Sequence, residues 1–139
     1  HDLAAVLSAL DGARLDEHVA DRVRAVYRTL GHAEASVHGC PVEHTHFHEV
    51  GDGDTVRACI EVCLAVALLD PAEIVSTPVQ VGSGTVVCAH GELPVPAPAT
   101  ATILSDDIPR CTRLLAGERC TPTSAALVRC LVDRFEEEV

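Results

Sequence analysis

The sequence predicts a mixed α/β domain of four to five helices with a small sheet of short strands, extending over residues 1–139 as a single domain. Hydrophobic residues make up 47% of the 139 residues, which is enough for a folded core. Stretches with the apolar repeat of helices alternate with short β-prone segments. Proline and glycine separate these stretches, and neither an internal repeat nor a linker divides the chain.

Three helical patterns occupy the first half of the chain, and each is an apolar repeat bounded by turn or capping residues: 2–11, 16–38 and 55–69. Gly39 is suited to end the second helix in a left-handed cap, and Pro41 prevents its resumption. Asp54 closes a Gly-Asp-Gly-Asp turn and is the expected N-cap of the third helix. Between these two helices, residues 42–50 are predicted to be a short strand or an extended stretch.

The second half of the chain alternates β-prone segments with shorter helices. The expected β segments are residues 73–76, 85–88 and 110–115. The proline-rich residues 94–98 favour a stiff, extended backbone, and a short helix is expected over residues 100–104. Thr121-Pro122 predicts the start of the last helix, because a hydroxyl at the N-cap precedes proline at the first helical position.

The composition excludes several classes of function. The formal charge of −11, from 10 Lys and Arg against 21 Asp and Glu, disfavours binding to a nucleic-acid backbone. No apolar run approaches the roughly 20 residues of a membrane span, and no signal-peptide pattern opens the chain. Seven cysteines without a CxxC pair indicate reduced thiols. We therefore expect a cytoplasmic protein that binds neither nucleic acid nor membrane, and self-association of identical chains stays open.

His44, His46 and His48 alternate along one short segment that ends in Glu49. In an extended chain, alternate side chains project from one face about 6.5–7 Å apart, so two or three imidazoles can converge on one ion. Imidazole is a ligand for zinc, copper and nickel, whereas magnesium and calcium prefer oxygen. Glu49 faces the other way in an ideal strand, and the glycine-rich turn after it would bring it back as a ligand or base. An ordinary surface histidine is the alternative for each residue taken alone.

Further segments carry residue types suited to binding or acid–base chemistry. Gly82-Ser83-Gly84 would let backbone amides approach a phosphate or carboxylate, although a plain turn is the alternative. Thr121 and Thr123 open the last helix, where unpaired amides and the helix dipole attract anions, and ordinary capping is the alternative. His90 is a candidate ligand or acid–base group.

The cysteine pair at positions 59 and 63 lies one helical turn apart on the apolar stripe of the third helix. Two thiols at this spacing could share a metal ion. Their place on the apolar stripe favours packing in the core instead.

The order of the motifs resembles the LarC family. The residues that carry the resemblance are His46-Phe47-His48-Glu49-Val50-Gly51, Gly82-Ser83-Gly84, His90-Gly91, Pro94-Val95-Pro96-Ala97-Pro98-Ala99-Thr100 and Thr121-Pro122-Thr123. The resemblance implies that the chain is part of the N-terminal half of a nickel-insertion protein. It also implies an upstream segment and a C-terminal nucleotide-binding portion outside residues 1–139, and a chain that opens on His1 rather than Met agrees with the former.

The resemblance implies a cyclometallase that places Ni(II) in a pyridinium bis-thiocarboxylate mononucleotide, forming a nickel–carbon bond and so the nickel-pincer cofactor. It implies dependence on CTP with a divalent metal, Mn or Mg, bound by the C-terminal LarC portion. The implied nickel ligands are His46, His48 and His44, the last an addition to the family motif. The implied catalytic groups are Glu49 and His90, and the implied cofactor-binding residues are Gly82, Ser83, Gly84, Thr121 and Thr123.

Two residues depart from the family pattern: Ala58, where a second Asp is usual, and Ser124, where Gly is usual. Two other functions stay open. The first is a non-enzymatic nickel or zinc carrier or scaffolding module, which needs neither a glycine loop nor a stiff proline segment. The second is a nucleotide-binding or hydrolytic enzyme, for which the chain offers no Walker-type lysine and no nucleophile elbow.

Overall fold

A computed structural model describes residues 2–47, 51–88 and 91–138, and the chain divides into two compact units, His1–Ala72 and Glu73–Val139. The described residues form five α-helices and six short strands, which confirms the predicted mixed α/β class. The strands of the described residues pair into three two-stranded sheets. The single-domain extent over residues 1–139 stays a prediction.

Helices dominate the first unit. They are α1 (Leu3–Gly12), α2 (Glu17–His38) and α3 (Gly53–Leu69), and both α1 and α3 pack against α2. A 3-10 turn at Val42–His44 packs against α1 and α2. The core of this unit consists of side chains that are almost fully buried: Val6, Leu10, Val19, Val23, Val26, Tyr27, Leu30, Cys59 and Cys63. The predicted core packing of the two α3 cysteines is therefore confirmed.

The ends of α2 and α3 show how local chemistry sets helix boundaries. Asp16, predicted as the first residue of the helix, is the N-cap of α2, and Gly39 ends the helix with a φ of 63°, as predicted. The predicted N-cap of α3 at Asp54 is wrong, because the helix begins earlier and Asp52 caps it. The Asp52 carboxylate accepts hydrogen bonds from the Thr55 amide at 2.8 Å and the Thr55 hydroxyl at 3.1 Å. The two hydrogen bonds from Thr55 thus stabilise a cap at Asp52, two residues before the predicted one.

The first residues of the predicted short strand or extended stretch over residues 42–50, Val42–His44, form a 3-10 turn instead. His44 closes the 3-10 turn, whose backbone amides donate to the carbonyls of Pro41 and Val42 at 2.9 and 3.2 Å. His46 then makes a single antiparallel bridge with Asp2. Residues 48–50 lie outside the described residues. A proline-led turn therefore replaces the first part of the expected extended chain.

Short strands and two helices form the second unit. The strands are β1 (Val75–Ser76), β2 (Gly82–Ser83), β3 (Thr85–Cys88), β4 (Gly91–Pro94), β5 (Gly117–Glu118) and β6 (Arg134–Phe135). The helices are α4 (Pro98–Leu104) and α5 (Pro122–Leu131), which pack against each other. β1 runs parallel to β6, whereas β2 pairs with β5 and β3 with β4 in antiparallel fashion.

The predicted strand over residues 110–115 is wrong. Within it, only Arg110 makes a bridge, to Val79, and the strand of this region is β5 at Gly117–Glu118. The start of α5 is as predicted, with Thr121 at the N-cap and Pro122 at the first helical position. Strand propensity thus gives way to side-chain contacts in this loop.

All seven cysteines are free thiols, as expected. Cys59, Cys63 and Cys120 are buried and the other four are half-buried. No helix formed by the described residues combines the length and apolar character needed to cross a membrane.

Candidate functional site

The histidine segment, residues 44–47 of the described chain, alternates exposed histidines with buried residues. Thr45 and Phe47 are only 1% and 5% exposed, whereas His44 and His46 are exposed. The alternation expected from the sequence therefore holds for burial over these four residues, although His44 belongs to a 3-10 turn rather than a strand. The His44 and His46 side chains are thus exposed, while the buried Thr45 and Phe47 hold the segment between them in place.

Aromatic packing supplies the floor of this segment. The Phe47 ring meets the fully buried Tyr27 ring edge-on, with centroids 5.9 Å apart and planes at 71°. Burial raises the pKa of the Tyr27 hydroxyl far above its usual range, and the nearby Cys59 adds to the shift. Burial, followed by the neighbouring Cys63, raises the pKa of Cys59 to about 11. Both groups are therefore neutral at physiological pH.

Two polar contacts hold the same segment at its sides. The Thr45 hydroxyl donates to the Pro41 carbonyl at 3.4 Å, within the turn that precedes it. Asp2, which bridges to His46 through the backbone, accepts the Ala5 amide at 2.7 Å as the N-cap of α1. The position of His46 is therefore tied to the start of α1.

The predicted nickel ligands are only partly placed by the structure. His44 and His46 are described, whereas His48 and the candidate base Glu49 lie outside the described residues. Within residues 2–47, 51–88 and 91–138, no group of three or more His, Cys, Asp or Glu is arranged to hold a metal ion. The roles of His48 as a ligand and of Glu49 as a base therefore stay predictions.

In the second unit, Gly82 has a packing role. Its φ is +88°, and a Cβ placed on it would lie 1.9 Å from the Gly117 carbonyl oxygen of β5. Its amide donates to the Gln80 side-chain oxygen at 3.0 Å. The neighbouring Ser83 hydroxyl donates to the Leu115 carbonyl at 3.0 Å. Glycine is thus required at position 82 for close approach of two backbones, a reason that was not anticipated from the sequence.

Gln80 is a residue that the sequence reasoning missed. Its side-chain oxygen accepts the amides of Gly82 and Leu115 at 3.0 and 3.3 Å, and its side-chain nitrogen donates to the Arg113 carbonyl at 2.8 Å. One amide side chain therefore joins the glycine segment to the loop at residues 113–115. A single glutamine before a turn belongs to no motif, so no signal in the sequence alone could have identified it.

Gly84 is more open than Gly82. Its φ is +96°, a Cβ there would meet nothing within 4 Å, and its carbonyl accepts the Val95 amide at 2.9 Å. The hairpin of β3 and β4 follows, with Cys88 paired to Gly91. The candidate acid–base residue His90 lies outside the described residues.

The start of α5 is a double hydroxyl cap. Thr121 Oγ1 accepts the Ser124 amide at 3.2 Å and lies 3.0 Å from the Ser124 hydroxyl oxygen. Thr123 is half-buried in the first turn. Glu118, three residues before Thr121, pairs with Gly82. Three residues span at most about 11 Å, so the two predicted anion-binding segments lie close together.

Comparison with known proteins gives a consistent result. The family described as "Nickel insertion protein" matches residues 1–139. A "Putative nickel insertion protein" of Geotalea daltonii is 39% identical over 132 residues, covering 95% of this chain and 34% of the relative. A relative in Methanococcoides burtonii with the same name is 43% identical over 123 residues, covering 88% and 31%.

A third relative carries a more specific name. In Staphylococcus saprophyticus, a "Pyridinium-3,5-bisthiocarboxylic acid mononucleotide nickel insertion protein" is 40% identical over 126 residues, covering 91% of this chain and 32% of the relative. The chain thus spans about a third of the length of the curated relatives it matches. No solved structure matches the chain.

Proposed function

The chain belongs to the nickel insertion protein family, as its resemblance to LarC led us to expect, and on that premise we propose that the intact protein inserts nickel into a pyridinium-3,5-bisthiocarboxylic acid mononucleotide. Relatives in Staphylococcus saprophyticus and Geobacillus kaustophilus bear the name of this reaction. Nickel is a substrate in this proposal, to be received and passed on.

The observation that carries the proposal is the exposed His44 and His46 on a backbone anchored by Thr45 and Phe47. Imidazole binds nickel but competes less strongly for a soft ion than a thiolate would, so it suits a metal that must be released. The buried Cys59 thiol, with its pKa raised to about 11, stays protonated and does not compete. We propose that His48 joins the two exposed histidines as a ligand.

The chemistry requires a base. Forming a nickel–carbon bond on the pyridinium ring breaks a ring C–H bond, and the proton must be accepted as the metal takes its place. We propose Glu49 for this role because it adjoins the histidine segment, and His90 as an acid–base group at the second unit.

The substrate itself carries a phosphate and two thiocarboxylates. We propose that Gly84, Thr121 and Thr123 contact these anions, with Gly82 and Ser83 holding the segment in place through Gly117 and Leu115. The cyclometallase reaction and its dependence on CTP with Mn or Mg belong to the intact protein in this proposal. The C-terminal LarC portion would supply that nucleotide site.

Replacing the exposed His46 tests the metal role. We expect His46→Ala to weaken nickel binding to the chain by at least tenfold, on the order of the loss seen when metal-site residues are removed. His32→Ala is the matched control, since His32 is an exposed histidine of α2 that does not belong to the histidine segment. Isothermal titration with nickel measures both, and full-length protein with the same changes measures insertion. Equal nickel affinity in the two variants would contradict the proposal.

The same assays separate the enzyme from a carrier. A nickel or zinc carrier would lose metal binding in His46→Ala, yet the full-length wild type would not convert the mononucleotide into a nickel complex. A scaffolding module would bind no nickel in either form. Conversion by the full-length wild type, lost in His46→Ala and kept in His32→Ala, is the result that supports insertion.

A further inference from the structure

We propose that Arg113 is the anchor for the phosphate monoester of the pyridinium mononucleotide, an inference that rests on the proposed function. Arg113 lies outside every sequence motif considered above. It is singled out by charge, by the contacts of its neighbours and by the side chain that fixes its loop.

The loop at residues 110–119 carries a net positive charge, whereas the whole chain is acidic. It holds Arg110, Arg113 and Arg119 but only one acidic residue, Glu118, in a chain whose formal charge is −11. A local excess of cations in an acidic protein attracts anions to that loop and away from the rest of the surface. This loop lies beside the glycine segment, because β5 within it pairs with β2.

Two of the three guanidinium groups are already committed. Arg110 donates to the Ser105 carbonyl at 2.6 Å, and Arg119 donates to the Ala116 carbonyl at 3.1 Å. The Arg113 guanidinium makes no hydrogen bond or ion pair with any residue that the structure describes, and Arg113 is exposed. It is therefore the cation of this loop that can serve a ligand.

Gln80 fixes the backbone from which Arg113 projects. The same side chain binds the Arg113 carbonyl at 2.8 Å and the Gly82 amide at 3.0 Å. The Leu115 amide and carbonyl are held as well, by Gln80 at 3.3 Å and by the Ser83 hydroxyl at 3.0 Å. Arg113 is thus placed within one side-chain length of the segment proposed to bind substrate anions, and a fixed backbone lowers the entropy lost on binding.

The residues around Arg113 suit a ligand that combines a phosphate with an aromatic ring. A guanidinium forms two parallel hydrogen bonds with a phosphate and stays charged at every physiological pH. Leu114 and Leu115, next to Arg113, are 48% and 45% exposed. Apolar surface beside a single cation suits a flat ring that bears an anionic group.

The test uses the 139-residue chain and nicotinic acid mononucleotide, a pyridinium mononucleotide that carries one carboxylate. We expect Arg113→Ala to weaken its binding about tenfold or more, because a charge-assisted bidentate contact is lost. Arg28→Ala is the matched control: Arg28 is an exposed arginine on α2 in the first unit, and it makes no hydrogen bond or ion pair with the residues that the structure describes. Arg113→Lys keeps the charge without the fork and should fall between wild type and Arg113→Ala.

A second ligand identifies the anion that Arg113 holds. Nicotinic acid riboside has the same ring and carboxylate but no phosphate, so its affinity should be equal in wild type and Arg113→Ala. Equal weakening of both ligands would overturn the phosphate assignment, since it would indicate a contact with the carboxylate or a disturbed loop.

Three outcomes count against the inference: Arg113→Ala equal to Arg28→Ala, equal weakening of the two ligands, or a wild type that binds no mononucleotide. None of them decides whether the protein handles nickel, because nickel titration of wild type against His46→Ala is a separate measurement. The proposed function can therefore stand where this inference fails.

Discussion

Each unit holds one irregular segment in place, and the two units rely mainly on different kinds of contact. In the first, the histidine segment rests on two buried side chains, Thr45 and Phe47. In the second, the glycine segment and the loop at residues 113–115 are joined by hydrogen bonds from Gln80 and Ser83. The first segment is held mainly by packing, with a hydrogen bond from the Thr45 hydroxyl to the Pro41 carbonyl at its side, and the second is held by polar contacts.

The difference matters for how firmly each segment is held. Burying a large apolar side chain contributes about 1.5–3 kcal/mol, whereas a typical hydrogen bond contributes about 1 kcal/mol net. The histidine segment therefore depends on one strong anchor, and the glycine segment on several weak ones. Both kinds of anchor fix a backbone before a ligand binds, which lowers the entropy lost on binding.

The largest effect should come from removing the packing anchor. We expect Phe47→Ala to lower the free energy of unfolding by about 3–5 kcal/mol, since it empties a buried site and removes the contact with Tyr27. Leu68→Ala is the control on the same unit, because Leu68 on α3 is 77% exposed and should change stability little. Denaturant unfolding measures both. A loss below about 1 kcal/mol for Phe47→Ala would refute the packing anchor.

A smaller loss is expected from the glycine segment. Gly82→Ala should cost about 3 kcal/mol, because it combines a positive φ with a Cβ that collides with the Gly117 carbonyl. Gly84→Ala carries a similar φ but meets no neighbour, so it should cost only about 1–2 kcal/mol. Denaturant unfolding of the pair isolates the contribution of the close contact. Equal costs would mean that backbone conformation alone explains both glycines.

The smallest effect concerns pH and is confined to the first unit. Burial raises the pKa of Cys59 from 9.0 to about 11 in the folded protein. The neutral thiol therefore favours the folded state fully below pH 9, and this contribution is lost as the pH rises from 9 towards 11. The stability difference between wild type and Cys59→Ala should shrink over that range, measured by unfolding at each pH. Parallel stability curves would contradict the shift.

Helix ends were predictable because their signals are local. Gly39 and Thr121 act as caps where the sequence places them, since each cap depends on atoms within a few residues. The choice between Asp52 and Asp54 went wrong at the same scale, because two aspartates compete within one turn. The common face of His44 and His46 was likewise visible as alternation along the segment, whereas the burial of Thr45 and Phe47 was not predicted.

The polar contacts of the second unit could not be predicted in this way. Gln80 forms hydrogen bonds with Arg113 and Leu115, which lie 33 and 35 residues later in the sequence. No motif around Gln80 or around the loop predicts these hydrogen bonds. The same contacts engage backbone groups of Arg113 and Leu115 that a strand ladder would otherwise use. The roles of His48, Glu49 and His90 stay predictions, since those residues lie outside the described ranges.

The hydroxyl pair at the start of α5 sets a cost for any ligand that binds there. Thr121 already serves the Ser124 amide and lies 3.0 Å from the Ser124 hydroxyl. An anion that engages Thr121 must displace or share an internal partner, so its affinity reflects a difference between two hydrogen bonds. With glycine at position 124, as the LarC pattern favours, the hydroxyl partner would be absent and the exchange easier. Ser124 therefore competes with a ligand for the Thr121 hydroxyl. Its contacts stabilise the start of α5 and lower the affinity for an anion at Thr121.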